Sequence, residues 1–335
     1  MAAAAIILWW FRYEWSARAF DWHLFGASLA KLRWPWLLVA LVPIFGTYYG
    51  RALRWAVLLK PVKPEPSLRN LLSATIIGFT AITLFGRPGE FVRPYLIAVK
   101  ERVSVPSQLA AWVVERIFDI LMALLVFAYA LTRVRTSGLT VGPTLAWVLA
   151  VGGKVVALTC IALFVLLLLF RHFAEPMRGR LMSALHFLPE HQFLRMERLI
   201  ANFVQGVEST RSDGSLFLVF AYSAIEWVLI AGCYWCLAQA FAGTVNLNLV
   251  DVLIFMGFVS FGAAVQIPGV GGGMQVVAVL VLTELFGVRF ELATTFALVI
   301  WIFTFVAIVP IGLALALKDG LNWHNLRQIG REASS

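Results

Sequence analysis

Long apolar runs separated by short polar segments are the main feature of the chain. Five of them exceed the roughly 20 residues that an α-helix needs to cross a hydrocarbon core of about 30 Å. They lie at 36–59, 108–131, 143–170, 216–241 and 292–317. The pattern predicts an all-α polytopic membrane protein, with about six to eight transmembrane helices once shorter apolar segments are counted.

Two further apolar segments are interrupted by glycine-rich breaks. The first runs over 71–99 and is broken at 86–90 by Gly-Arg-Pro-Gly-Glu, and the second runs over 249–286 and is broken at 268–273 by Pro-Gly-Val-Gly-Gly-Gly. Backbone freed by such a break is tolerated in a membrane only when it is buried in protein or lines a cavity. Both segments are therefore predicted to be broken, re-entrant helices.

The two breaks also mark an internal repeat. Gly86 and Gly89 of the first break correspond to Gly269 and Gly272 of the second at one constant spacing. In each copy an apolar run meets the break, and a short apolar helix, a polar turn and a full span follow. Similar units of this kind are typical of secondary transporters.

Loop charges predict how these repeats are oriented. The loop at 60–70 is rich in Lys and Arg, which favours the cytoplasmic side. Counting spans from that loop places repeat 1 (about 70–131) and repeat 2 (about 249–317) in opposite orientations, within a single transmembrane domain over 1–335. The same count makes segment 171–214, which contains an amphipathic helix, and the C-terminus cytoplasmic.

Composition changes this picture little. The chain is 61% hydrophobic and 13% charged, with a formal net charge of +9. Because the basic residues lie at span ends and in short loops, we interpret them as topology determinants facing anionic lipid, and not as a nucleic-acid surface. No phosphate-binding G-x-x-x-x-G-K-[ST] loop occurs, and the histidines lie outside the spans. Neither a cofactor nor a metal is predicted.

Three charged residues fall inside one predicted span: Glu115, Arg116 and Asp119. An ionised side chain at a helix centre costs roughly 2.5–3.5 kcal/mol on the insertion scale. The three must therefore face the protein interior or a wet cavity, and their spacing lets Arg116 pair with Asp119. They form either an internal salt bridge that joins helices or a site where Arg116 also contacts an anionic substrate. Glu226, in the middle of its span, is a further candidate.

Charged residues also bracket the first break. Gly89 and Glu90 are predicted to open the short helix, whose N-terminal amides favour an anion. Arg87 and Arg93 on either side suit a phosphate, although Arg93 could equally be a membrane anchor. We predict a substrate site near the bilayer midplane where the two breaks meet. Its second half comprises Pro268, Gly269, Gly272 and Gln275.

These motifs resemble the transmembrane domain of lysylphosphatidylglycerol synthase. The resemblance rests on GRxGExxRxxL at 86–96, ERxxD at 115–119 and the glycine motif at 268–272, and it covers about residues 20–320. It implies a bundle with broken helices that moves lipid between leaflets. No aminoacyl-transferase domain follows within this sequence, and Gln275 stands where the family usually carries an acidic residue.

The sequence thus predicts a lipid flippase or scramblase for a phosphate-bearing amphiphile, and not an enzyme. Its expected location is the cytoplasmic membrane of a bacterium or archaeon. Its expected partners are membrane lipids, together with either further copies of the same chain or a separately encoded lipid-modifying enzyme. Two alternatives stay open: a membrane-embedded enzyme acting on a lipid or polyprenyl phosphate, and a non-transporting partner of a lipid synthase.

Overall fold

The computed structural model describes residues 20–136, 151, 154–155, 158–166, 168–169, 190–207, 212–262, 266–267 and 271–320. Half of the predicted span at 143–170 and part of segment 171–214 lie outside these residues, as do Pro268 and Gly269. The described residues are almost entirely helical, and five helices within them are long and apolar enough to cross a membrane. The predicted all-α polytopic class is confirmed.

The helices whose bounds the structure defines lie between Trp22 and Lys318. They are α1 Trp22–Ala30, α2 Trp34–Leu59, α3 Leu68–Phe85, a 3-10 helix Arg87–Phe91, α4 Val92–Glu101, α5 Val105–Thr136, α6 Glu190–Val207, α7 Asp213–Ala240, α8 Leu249–Gly262, α9 Gly273–Glu284, α10 Phe290–Trp301, a π-helical turn Ile302–Val306 and α11 Val309–Lys318. Two-residue strands, β1 Gln266–Ile267 and β2 Gly271–Gly272, stand between α8 and α9.

The chain divides into two compact units. The first comprises residues 1–45, 123–156 and 229–307, and the second comprises 46–122, 157–228 and 308–335. Aromatic rings form much of the interior of the first unit, where Phe296 packs edge-on against Phe241 and Phe255. The interior of the second unit is a continuous apolar cluster that includes Trp55 and Leu71.

The first break is a helical hairpin in the second unit. Gly86 ends α3 with a positive φ of 71°, a conformation that glycine adopts without strain. After the 3-10 turn, α4 packs back along α3. The prediction that Gly89 and Glu90 open the short helix is wrong, because both lie in the 3-10 turn and α4 begins at Val92. With ten residues, α4 is about 15 Å long, half of a hydrocarbon core.

The second break, in the first unit, has the same hairpin form. Helices α8 and α9 pack side by side, and the strands between them pair antiparallel. A Cβ on Gly262 would lie 2.5 Å from the carbonyl oxygen of Gly273, so glycine permits the close packing. Both predicted broken helices are therefore present. Their insertion into a membrane and the inverted orientation of the repeats stay predictions.

The last predicted span is not one continuous α-helix. It is interrupted by the π-helical turn, in which the amide of Ala307 bonds to the carbonyl of Ile302 at 2.8 Å. Pro310 accounts for the change, because it lacks the N–H that would bond to the carbonyl of Val306 in an α-helix.

The predicted amphipathic helix is confirmed as α6. Its apolar residues recur every three or four positions, and Val204 and Val207 are buried. Gly206 lies directly against the carbonyl oxygen of Ser107 and the methyl group of Ala110, so the end of α6 packs on the start of α5. The predicted cytoplasmic location of segment 171–214 stays a prediction.

Replacing Gly78 by Ala should destabilise the first hairpin. An added Cβ would lie 2.5 Å from the Cβ and 3.1 Å from the Cα of Arg93, so α3 and α4 must separate. We expect a loss of about 1–2 kcal/mol in the free energy of unfolding, typical of an overpacked core. Thermal unfolding in detergent measures it, with Gly50→Ala as the control because no atom lies within 4 Å of its new methyl group. Equal melting temperatures for the two variants would contradict the packing.

Candidate functional site

Seven charged side chains meet inside the second unit, and we call them the charge network. They come from α2, α4, α5 and α7, which are distant in sequence. The network comprises Arg51, Arg54, Arg93, Glu115, Arg116, Asp119 and Glu226.

Arg54 is at the centre of the network. Its side chain is fully buried, and its guanidinium contacts Glu115 and Asp119 at 2.6 Å each. It also donates a hydrogen bond to the hydroxyl of Ser223 at 2.7 Å and lies 3.4 Å from a carboxylate oxygen of Glu226. One cation therefore joins carboxylates from α5 and α7 to α2.

Arg93 reaches the network from the short helix α4. Its Nη1 donates to both carboxylate oxygens of Glu115 at 2.9 Å, and its Nη2 donates to the backbone carbonyl of Arg51 at 3.1 Å. The guanidinium also lies over the ring of Trp55, 4.2 Å from its centroid, in a cation–π contact. Gly78 on α3 leaves the space that this side chain occupies.

Arg51 and Glu226 form the pair between α2 and α7. Arg51 is 14% exposed and Glu226 only 1%. The guanidinium of Arg51 also stacks on Phe79, 4.4 Å from the ring centroid. Because one oxygen of Glu226 is buried without a hydrogen bond among the described residues, this end of the network is incompletely satisfied.

Arg116 is the most exposed member of the network. Its Nη2 lies 2.7 Å from Asp119 and 3.5 Å from Glu115, and 31% of its side chain is exposed. The predicted pairing of Arg116 with Asp119 is confirmed. Arg87 and Glu90 form an ion pair of their own at the first break, and the Glu90 carboxylate is close enough to act electrostatically on Arg116. The network is therefore accessible at Arg116.

The network is short of negative charge and of hydrogen-bond acceptors. Its four guanidinium groups face three carboxylates, which leaves one positive charge in excess. In addition, the Nε–H of each of the four arginines is buried without a hydrogen-bond partner among the described residues. A buried donor left unpaired costs roughly 1–3 kcal/mol. An anion bound at the network would balance the excess positive charge.

Sequence reasoning found part of this site. Of the predicted residues, the structure joins Arg93, Glu115, Arg116, Asp119 and Glu226. It also shows that Arg116 is only one of several partners of the carboxylates. The general interpretation of basic residues at span ends as topology determinants missed Arg51 and Arg54, which lie in α2 and form ion pairs with carboxylates of α7 and α5. The available signal was that the two arginines are three residues apart, on one helix face, and that the apolar helix continues for five residues beyond Arg54.

The other predicted site residues are engaged differently. Gly89 packs against the backbone of Ala81, and a Cβ there would overlap it. In the first unit, the amide of Gly272 donates to the side-chain oxygen of Gln275 at 2.7 Å, which caps the start of α9. Pro268 and Gly269 lie outside the described residues. The assignment of these residues to a binding site stays a prediction.

A protein-family comparison assigns the chain. The family model of the lysylphosphatidylglycerol synthase transmembrane region matches residues 1–312. The chain belongs to this family. Arg93, Glu115, Arg116 and Asp119, which lie in the motifs that carry the sequence resemblance, also form more than half of the charge network. No individual curated protein matches the chain.

Proposed function

We propose that the protein moves a phosphate-bearing lipid between membrane leaflets, as a flippase or scramblase and not as an enzyme. Membership of the family and five helices able to span a membrane support a role in lipid handling. The observation that carries the proposal is the buried charge network with one excess positive charge and four unpaired guanidinium donors. We place the protein in the cytoplasmic membrane of a prokaryote.

The headgroup phosphate would bind at Arg116, the member of the network that is accessible. Its side chain is 31% exposed, and its Nη2 is shared by Asp119 and Glu115. Phosphate oxygens are strong acceptors for guanidinium groups. Arg54 and Arg93 would hold the carboxylates in place behind Arg116, and the acyl chains would stay in lipid.

A purely structural lock explains the network less well. Ion pairs that only join helices are most stable when their charges balance, because an uncompensated charge in a low-dielectric interior is costly. Here the four guanidinium groups outnumber the three carboxylates, and the network is partly exposed at Arg116 although Arg54 is fully buried. Such an arrangement favours a ligand over a lock.

Replacing Arg116 by Gln should slow lipid movement by about tenfold or more, since one charge-assisted hydrogen bond contributes about 1.5–3 kcal/mol. The purified protein is reconstituted into vesicles that contain phosphatidylglycerol labelled with a fluorophore on one acyl chain. A membrane-impermeant reductant then quenches the outer leaflet, and the slow phase reports lipid arriving from the inner leaflet.

The matched control is Arg69→Gln. Arg69 is also an exposed arginine of the second unit, but it lies in the first turn of α3, at the opposite end of that helix from the first break. Its variant should move lipid at the unmodified rate. If a folded Arg116→Gln protein does so too, the proposed site is wrong; if the unmodified protein moves no lipid, the proposed function is wrong.

A further inference from the structure

The charge balance of the network also bears on the class of headgroup. Four guanidinium groups and three carboxylates leave one positive charge. The neighbouring pair Arg87–Glu90 adds one charge of each sign and leaves that balance unchanged. The excess is therefore the same whether or not this pair is counted with the network.

One excess positive charge in a poorly hydrated site is matched by one negative charge. A bound monoanion makes the complex neutral, whereas a bound dianion leaves it with one excess negative charge. An excess charge of either sign is unfavourable, because the low-dielectric surroundings replace hydration poorly. A phosphodiester carries one negative charge at neutral pH, while a phosphomonoester has a second pKa near 6 and is largely a dianion at pH 8.

We propose that the charge network selects a headgroup phosphate bearing a single negative charge, a phosphodiester, and discriminates against a phosphomonoester dianion. This inference rests on the proposed function, whose site it deepens. The exposure of Arg116 agrees with it, because 31% of that side chain is open to a ligand while Asp119 stays paired with the same guanidinium. A second negative charge on the ligand would face the carboxylates of Asp119 and Glu115 without a further cation.

The test compares lipids that differ only in the headgroup. Vesicles containing the unmodified protein carry, one at a time at pH 8, acyl-labelled phosphatidylglycerol, phosphatidic acid or a cationic lipid without phosphate. Phosphatidylglycerol should move at least about tenfold faster than either of the other two. Equal rates for all three would overturn the inference and leave lipid transport standing, whereas the absence of any movement would refute the proposed function itself.

Two variants change the network charge in a defined way. Asp119→Asn raises the excess from one positive charge to two with little change of shape, and it should bring phosphatidic acid to at least the rate of phosphatidylglycerol. Glu226→Gln removes one negative charge as well, at a residue of α7, so the prediction can still be tested if one of the two variants fails to fold. A folded variant of either kind that keeps the original preference would contradict selection by charge.

A free anion could satisfy the same chemistry as a lipid headgroup. Millimolar inorganic phosphate or glycerophosphoglycerol is therefore added to both sides of the vesicle membrane. We expect the movement of phosphatidylglycerol to fall less than about twofold, because acyl chains confine a lipid to the membrane and raise its local concentration at the site above that of a soluble anion. If either soluble anion stops the movement, the site takes free phosphate compounds, and the assignment to a lipid headgroup is overturned.

Discussion

Replacing Arg54 by Met should lower the free energy of unfolding by about 3–5 kcal/mol, the usual cost of removing one partner from a buried ion pair. The Arg54 side chain is fully buried and contacts Glu115, Asp119 and Glu226. Without it, these carboxylates depend on Arg51, Arg93 and Arg116 alone. Methionine fills much of the space but supplies no donor, so the loss reflects charge more than volume.

Unfolding in mixed detergent micelles measures this loss. The control Arg69→Met makes the same substitution at an exposed site in the same unit and should cost less than about 0.5 kcal/mol. Adding Asp119→Asn to Arg54→Met removes one charge of each sign, so the double variant should be more stable than the summed single losses imply. Strict additivity would show that Arg54 and Asp119 do not interact.

The sequence predicted the local features of this fold well. Span positions follow from runs of apolar residues, so α2, α5 and α7 lie within a few residues of their predicted bounds. The pairing of Arg116 with Asp119 was predictable for a similar reason, since residues three apart on a helix are neighbours. Both breaks were visible because glycine and proline interrupt otherwise apolar segments.

The rest of the site depends on contacts between distant parts of the chain. Arg54 lies 61 residues from Glu115 and 169 residues from Ser223 along the chain, and no periodicity relates them. An arginine near the end of an apolar run is usually a membrane anchor, and only the packing of α2 against α5 shows otherwise. The excess charge of the network could be counted only once the structure had shown that Arg51 and Arg54 belong to it.

Another buried carboxylate, Glu101, joins the polar ends of α3 and α4 outside the candidate spans. Glu101 is 2% exposed and accepts hydrogen bonds from Asn70 at 2.7 Å and from the backbone amide of Ser67 at 3.2 Å. The ammonium group of Lys63 lies 2.6 Å from it and also donates to its backbone carbonyl. One side chain therefore fixes the 60–67 loop and the start of α3 to the end of α4.

These contacts make the stability of the loop depend on pH. Burial alone would raise the pKa of Glu101, but the hydrogen bonds from Lys63, Asn70 and the Ser67 amide outweigh burial and hold the pKa below its ordinary value. A carboxyl whose pKa is lower in the folded than in the unfolded state stabilises the fold fully above its unfolded pKa, about 4.3 for Glu. That contribution is lost as the pH falls through the folded pKa.

Replacing Glu101 by Ala should therefore lower the free energy of unfolding by about 3 kcal/mol at pH 7, because a charged acceptor of several donors is removed. Below about pH 4 the difference from the unmodified protein should shrink, since the native carboxyl is then protonated as well. Thermal unfolding between pH 3 and pH 7 follows both effects. Glu65→Ala is the control, because Glu65 is exposed in the same loop. A pH-independent difference between the Glu101→Ala and unmodified proteins would mean that packing, and not the carboxylate charge, holds the loop to α4.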